Sequence, residues 1–463
     1  MASYQLNRSI PVEEGYDLVV AGGGPAGCAA AICAGRLGAR VLLVEGLGCL
    51  GGTGTSGLVT EFDPMANGEE MVVGGLMREI IETLYARGFV PEAMDPQRWR
   101  MQFHHWSPFD AEGLKLLLDE LCADAQVEVR FFTRVIDAQP GQAEGSLDGV
   151  VLSNVDGYRY VRAKAFVDAT GDAVLAHLSG FTCYEAGKDT PHIMPPTLCA
   201  LLAGIDWEAV GCDDIGPRGQ QAMVEQAIAD GFFSQPDRHV PGMFRSMGQL
   251  GSMNAGHVFG MNSVDNRSLS DGMVRGRRLV QEYTAFFKKY MRMPDIQLVT
   301  TAAMMGIRES RRVLGEYMLN YEDYVARRRF PDQIGLFCKA VDIHVYDTSP
   351  EQYQRYYEEF TRLDKYKPGE AYGIPYGVLV PKGSVNLWVA GRCVSADVKV
   401  QGSLRVQPAA SMMGQAAGVA AVQAIRTGRT AGTLDTRALV ETLRTQGANL
   451  PQAELCETMT RNT

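Results

Sequence analysis

Asp342-Ile343-His344 places an acid and a histidine one residue apart. On a strand, alternation puts both side chains on one face. A carboxylate beside an imidazole fixes its tautomer and raises its proton affinity, which suits general acid–base work. The plain alternative is a satisfied buried pair. A second cluster, Arg308, Glu309, Arg311 and Arg312, is rich in guanidinium groups. Arginine stays charged and can grip a carboxylate or phosphate with two parallel hydrogen bonds. Its alternative is an ion-pair network with Glu309 as one partner. Arg308 is the favoured ligand of the cluster, because Gly306 leaves backbone room beside it. His192 and His257 are weaker proton-transfer candidates, since each sits in a Gly/Pro-rich loop without diagnostic neighbours and reads more readily as structural. His104 and His105 fall in an irregular stretch, 97–108, read as a surface or interdomain loop, with a cofactor or substrate contact as the lesser alternative. His177 and His239 carry no functional reading.

Such side chains move protons and hold charge, whereas redox chemistry needs a cofactor. The stretch YDLVVAGGGPAGCAAA supplies a site for one. A short apolar strand, Tyr16–Ala21, runs into Gly22-Gly23-Gly24-Pro25-Ala26-Gly27, and a small-residue helix follows to about Leu37. Gly22 permits the tight turn, Gly24 lets backbone approach a pyrophosphate, and Gly27 lets the helix pack close to the sheet. The helix N-terminus offers unpaired N–H groups and a positive dipole end to phosphate. A second strand, Arg40–Val44, ends in Glu45, which can hydrogen-bond both hydroxyls of a ribose. Strand, glycines, helix, strand and acid in this order predict dinucleotide binding.

Two further stretches select the dinucleotide by resemblance. Gly51-Gly52-Thr53-Gly54-Thr55 resembles the glycine loop that runs beside FAD in two-dinucleotide-binding-domain flavoproteins. The cysteines that disulfide reductases carry in this loop are glycine and threonine here, with Cys49 ahead of the doublet, so a dithiol relay is not expected. Asp168-Ala169-Thr170-Gly171-Asp172 resembles the segment that closes over FAD in the same superfamily. Near the other end, Gly391-Arg392 follows a strand at 386–390, and Gly402-Ser403-Leu404-Arg405 leads to a helix beginning near Pro408. In that superfamily this last helix points its N-terminus at the flavin, where its dipole stabilises reduced flavin. The resemblance assigns Ser403 and Leu404 to the cofactor site, Arg392 to neutralising FAD phosphate or reduced flavin, and the backbone near Val135 to the adenine.

Taken with GIRESRR, VDIH and GIPYGVLVP, these motifs make the chain similar to the FAD-dependent oxidoreductase family of the fumarate-reductase/glutathione-reductase-like superfamily. The likeness spans residues 17 to 420. It implies an α/β fold: a Rossmann-like FAD-binding domain, 1–184 and 374–463, with an inserted α+β cap domain at 185–373. Long amphipathic stretches support the cap, including 219–231 and 270–291, the latter with a helix start at Ser270-Asp271. The likeness at VDIH favours His344 as the proton-transfer group, with Asp342 beside it and Arg308 as anion anchor. The expected reaction moves a hydride between a small polar substrate, anionic or sugar-like, and flavin N5, in the dehydrogenase or oxidase direction. The rivals are a fumarate-reductase-like ene or ketone reductase fed by a separate electron donor, and a non-catalytic FAD-containing subunit.

Bulk properties bound the remaining classes. The net charge of −10 argues against nucleic-acid binding. No apolar run approaches the about 20 residues needed to span a bilayer, and the N-terminal stretch lacks an apolar signal-peptide core. The 10 cysteines are scattered with no CxxC pair, which disfavours iron–sulfur clusters and points to reduced thiols in a cytoplasmic protein. No metal is expected. The partners implied are a small-molecule substrate and an unspecified electron acceptor or donor, and homo-oligomerisation stays open. With no histidine near the glycine loop, where some relatives attach FAD, non-covalent flavin is expected.

Overall fold

The computed structural model describes residues 4–91, 107–212, 214–215, 217–238 and 242–451. His104, His105 and His239 lie outside the described residues. The central unit begins with β1 (Val12–Ala21), α1 (Pro25–Arg36) and β2 (Val41–Val44). Leu18, Val19 and Val20 have no exposed surface, as a strand covered on both faces requires. The helix Ala111–Asp124 (α2) is capped by Asp110, whose side chain accepts from Gly113 N. It leads to β3 (Glu128–Arg130), and then β4 (Arg134–Pro140), β5 (Leu147–Asn154) and β6 (Gly157–Asp168) form a meander. Strands run in the order β3-β2-β1-β6-β5-β4. The β3–β2–β1–β6 pairings are parallel and the meander is antiparallel.

The long strand β6 changes partner along its length. Its first half pairs with β5, and its last residues, Phe166–Asp168, pair in parallel with a strand from much later in the chain.

A second unit is built on an antiparallel five-stranded sheet: β7 (Ala200–Ala203), β8 (Asp214–Ile215), β9 (Gly242–Arg245), β10 (Gly251–Asn254) and β11 (Gln297–Thr301), ordered β8-β9-β10-β7-β11. The helix α3 (Asn266–Lys289) lays Leu279, Val280, Tyr283, Phe286 and Phe287 into its core. That helix starts earlier than the sequence suggests. Asp265 is its cap, accepting from Ser268 N at 2.7 Å, while Ser270 sits inside and donates to Asn266 O. A carboxylate one turn upstream outcompetes the Ser-Asp pair for the orphan N–H groups. Among the described residues, the buried members of the second core run from Leu198 to Met305, with Leu58 and Ile307 packed against them. From Val313 to Tyr372 the chain packs with the first core, including the hairpin of β12 (Gln333–Phe337) and β13 (Tyr372–Pro375).

The chain then returns to the central sheet as β14 (Leu387–Val389), the late partner of β6. A short helix, α4 (Val398–Leu404), and a long one, α5 (Gln407–Thr427), follow. A Cβ at Gly414 would lie 2.0 Å from Ala26 O, and one at Gly418 2.2 Å from Ala30 O. The glycines therefore let α5 press its backbone against α1. The segment 341–344 forms no ladder, contrary to the strand reading. Its backbone is held instead by Gly402, which packs on it, and by Arg405 Nη2, which donates to Asp342 O at 3.1 Å.

Candidate active site

The turn after β1 is built as the glycine spacing requires. Gly22 has φ +96°, and a Cβ there would meet Ala169 O at 2.7 Å. A Cβ at Gly27 would fall 1.7 Å from Gly22 O. Gly24 differs, because nothing lies within 4 Å of where its Cβ would be. That open space belongs to a channel of about 510 Å³. The channel is lined by Gly22, Gly24, Pro25 and Ala26 from the turn, by Glu45 after β2, and by Gly52 and Thr53 from the glycine loop. Val135, Ala169–Asp172, Gly391 and Arg392 complete the predicted residues in its wall.

The remaining predicted cofactor residues do not reach the channel. Gly27 supports helix packing. Gly51 donates its N–H to Gly23 O at 2.8 Å and ties the two glycine turns together. Thr55 is buried with its hydroxyl on Leu50 O at 2.5 Å. Ser403 bonds Tyr372 and Lys339 O, and Leu404 is buried. The α4–α5 junction instead presents Arg405, Gln407 and Ala410 to the channel. A helix turn rotates successive side chains by about 100°, so a motif marks the segment and not which residue faces inward.

The polar groups of the channel are held in place. Glu45 accepts from Gly23 N at 2.7 Å and Leu47 N at 2.8 Å. Asp168, buried at the end of β6, accepts from Thr170 N and Oγ1 and from Ala176 N, which fixes the Ala169–Asp172 turn. Burial pushes its carboxyl up, against those hydrogen bonds. Arg392 donates to Gly171 O, Ile307 O and Asp172 Oδ1. Its charge thus already has a carboxylate partner. Gln407 donates to Val59 O and Glu61 O, and its buried Oε1 has no donor among the described residues. An orphan acceptor, an open Gly24 and a fixed Glu45 in one wall fit a dinucleotide.

A second cavity, about 330 Å³, shares Thr53, Ile307, Arg405 and Gln407 with the channel. Arg308, Lys339, Asp342 and His344 line it, with Glu61 and Asp63 also in its wall. Arg308 is buried and donates through Nη1 to Pro195 O at 2.6 Å and Thr197 Oγ1 at 3.0 Å. Burial, with the charge of Arg405 added, pushes its guanidinium down to about 10. Lys339 pairs with Asp63. Burial alone would lower its ammonium, but the charges of Asp63 and Asp342 outweigh it and raise it.

Asp342 and His344 do meet, at 3.3 Å between Oδ1 and Nε2, with Arg405 Nη2 on Asp342 Oδ2 at 2.8 Å. Burial works to raise the Asp342 carboxyl, yet His344, Arg405 and Lys339 together hold it well below the usual carboxylate range. Arg405 Nε is buried and has no acceptor among the described residues. The rest of the arginine cluster does not face the cavity. Glu309 accepts from Met194 N at 2.5 Å, Arg312 pairs with Asp189 and bonds Ala396 O, and Arg311 lies 3.7 Å from Glu185.

His257, the weaker candidate by its loop, is joined to the site. Its Nε2 lies 2.9 Å from His344 Nδ1, and its Nδ1 lies 3.0 Å from Asp237 Oδ2. Asp237 also accepts from His257 N and from the Tyr353 hydroxyl. His192 stacks on Tyr346 and lines neither cavity. The nine described cysteines are all free.

A family model described as FAD dependent oxidoreductase matches residues 17–443. No curated protein matches the sequence. Among solved structures, the chain is similar to a geranylgeranyl bacteriochlorophyll reductase-like protein from Thermoplasma acidophilum, at 13% identity and TM-score 0.45, over 94% of this chain and 83% of that one. It is similar to the flavin-dependent brominase Bmp2, at 11% identity and TM-score 0.45, over 94% and 83%. The anhydrotetracycline hydroxylase OxyS from Streptomyces rimosus gives 13% identity and TM-score 0.43, over 93% and 65%. These are distant likenesses. Among the described residues no helix is long and apolar enough to cross a membrane.

Proposed function

Because the chain belongs to the FAD-dependent oxidoreductase family, with FAD as its cofactor, we propose that it oxidises a small polar substrate carrying an anionic group, as a dehydrogenase or oxidase. One observation carries this reading: a cavity lined by Arg308, Arg405 and His344 adjoins the cofactor channel through four shared wall residues. FAD in the channel supplies a two-electron acceptor. Arg308, with Nη1 anchored on Pro195 O and Thr197, holds the anionic group. Arg405 Nε offers a further buried donor to an oxygen at the junction. His344 takes the proton that leaves a hydroxyl or amine as the adjacent carbon is oxidised. Asp342 balances the imidazolium that forms.

The test is anaerobic mixing of the purified flavoprotein with hydroxy acids, sugar acids and amino acids, followed by flavin absorbance. One class should bleach the oxidised band. His344→Ala and Arg308→Ala should keep FAD and slow bleaching by roughly 100-fold or more. Unchanged rates in both variants would remove these residues from the mechanism.

A second reading, reduction of an enoate or ketone with electrons from a separate donor, draws on Arg308. A guanidinium pushed down to about 10 is a better proton donor than a free one. Reoxidation of chemically reduced enzyme by such acceptors, with no bleaching by any donor, would favour it. Silence in both directions would favour a subunit that needs a partner.

A further inference from the structure

We infer that His257 is a positioning residue that sets the tautomer of His344 and shares its proton through the buried chain Asp237–His257–His344. This deepens the proposed function and rests on it for its catalytic meaning. The argument starts at Asp237. Its Oδ2 accepts from the backbone N–H of His257 at 2.9 Å and lies 3.0 Å from His257 Nδ1. Its Oδ1 accepts from the Tyr353 hydroxyl at 2.7 Å. A carboxylate so used is an acceptor throughout, so His257 Nδ1 carries a hydrogen. In neutral His257 the bare nitrogen is then Nε2, 2.9 Å from His344 Nδ1. That contact needs one hydrogen, and only His344 Nδ1 can supply it. Three contacts then compete for the two hydrogens of the neutral pair, and the longest, His344 Nε2 to Asp342 Oδ1 at 3.3 Å with Asp342 already held by Arg405, is the one left without, so the lone pair lies on Nε2. The chain thus prepares a base at Nε2, which once protonated donates to Asp342.

The same geometry gives the incoming proton a second seat. When Nε2 of His344 binds a proton, its Nδ1 hydrogen can shift along the 2.9 Å contact to His257 Nε2. One N–H bond forms on each ring in turn, and one breaks. The positive charge moves off the cavity wall to a ring paired with Asp237. His257 and Asp237 are both fully buried, so the pair is shielded from solvent. A second proton is opposed, because it would set N–H against N–H and two cations in contact. Among the described residues, the charged and titratable groups around the chain include Tyr353, Tyr283 and Glu282 on the Asp237 side, and Asp342, Lys339, Arg405 and Arg308 near His344. Tyr283 is buried and pushed well above its ordinary range by burial and by Asp237, so it stays neutral.

The experiment is a pH titration of the FAD-loaded protein with ring-¹⁵N histidine, read by nitrogen NMR. Histidine signals are assigned with His344→Gln and His257→Gln. The expected high-pH state has hydrogen on Nδ1 and a bare Nε2 in both rings. On acidification the two rings should share a single proton, each shifting partway at one midpoint. In H257Q, His344 should take the whole proton alone. In Asp237→Asn, which keeps the shape and the acceptor oxygen, the midpoint should fall by about one to three pH units as the charge is lost. Hydrogen on Nε2 of neutral His344, two independent full titrations, or an unmoved midpoint in D237N would each overturn the relay. The readout needs no substrate. If the tautomers hold but no donor bleaches the flavin, the oxidative reading falls and the relay stands. If donors bleach it and the tautomers are reversed, the relay alone falls.

Discussion

Two glycines of one turn separate packing from cofactor binding. Gly24 has open space where a Cβ would go, and Gly27 has a carbonyl oxygen 1.7 Å away. Gly24→Ala should therefore leave the melting temperature within the effect of about 1 kcal/mol, yet weaken FAD retention tenfold or more, which is about 1.4 kcal/mol of binding. Gly27→Ala should destabilise the fold by about 3 kcal/mol whether FAD is present or not. Thermal melts paired with flavin fluorescence measure both. A stable G24A that holds FAD as tightly as the parent would separate that glycine from the cofactor. At this scale the sequence was legible where chemistry depends on neighbours in the chain. Asp342 and His344 could be paired on paper because one residue lies between them. His257 could not be joined to His344, since the two rings meet only after the second unit docks beside 341–344. The one available hint was that several buried-type histidines in a protein with few of them need polar partners.

Elements followed their local signals, and their ends depended on competition between signals. At α3, Asp265 and Ser270 are rival caps that only geometry resolves. At α5 the glycines pose a sign question. In a helix interior alanine is favoured over glycine by about 1 kcal/mol. Against that, Cβ atoms at Gly414 and Gly418 would reach the α1 carbonyl oxygens at 2.0 and 2.2 Å. Backbone contacts cannot swing aside, so overpacking should win. Gly414→Ala and Gly418→Ala should each lower stability by about 1–3 kcal/mol despite better helix propensity. Urea unfolding followed by circular dichroism measures the sign. A stabilised variant would mean that α1 and α5 can separate at no cost. Since α1 opens at the cofactor turn and α5 at Gln407, that separation would also loosen the channel.

For the whole molecule, the channel draws its wall from the first strands, the Ala169–Asp172 turn and the Gly391–Ala410 region, with Leu269, Met273 and Ala303–Met305 of the second unit facing them. FAD that binds only this assembled form stabilises it by mass action, about 2.7 kcal/mol at a hundredfold excess over Kd. Hydrogen exchange with and without free FAD should show gained protection concentrated in 17–57, 165–175 and 387–415. In the separately cored region, 198–305, the gain should be confined to the channel-lining residues Leu269, Met273 and Ala303–Met305. Equal protection everywhere would mean that the two cores open as one unit. The central architecture was legible because a dinucleotide turn has few sequence solutions. The extent of the second unit was not, because residues after Val313 are as apolar as those before it, and only contacts assign them to the first core.

The late pairing of β14 with β6 also matters during synthesis. When the ribosome has made β1 through β6, the C-terminal end of β6 still lacks its outer neighbour. At about 5–20 residues per second, the nascent chain waits on the order of ten seconds or more for Leu387–Val389. Through that interval Phe166 and Val167, wholly buried in the finished protein, border an open strand edge. Such an edge invites pairing with other chains. A cell making this enzyme must therefore shelter that edge, and a stalled or truncated transcript that never reaches β14 yields a product prone to aggregate.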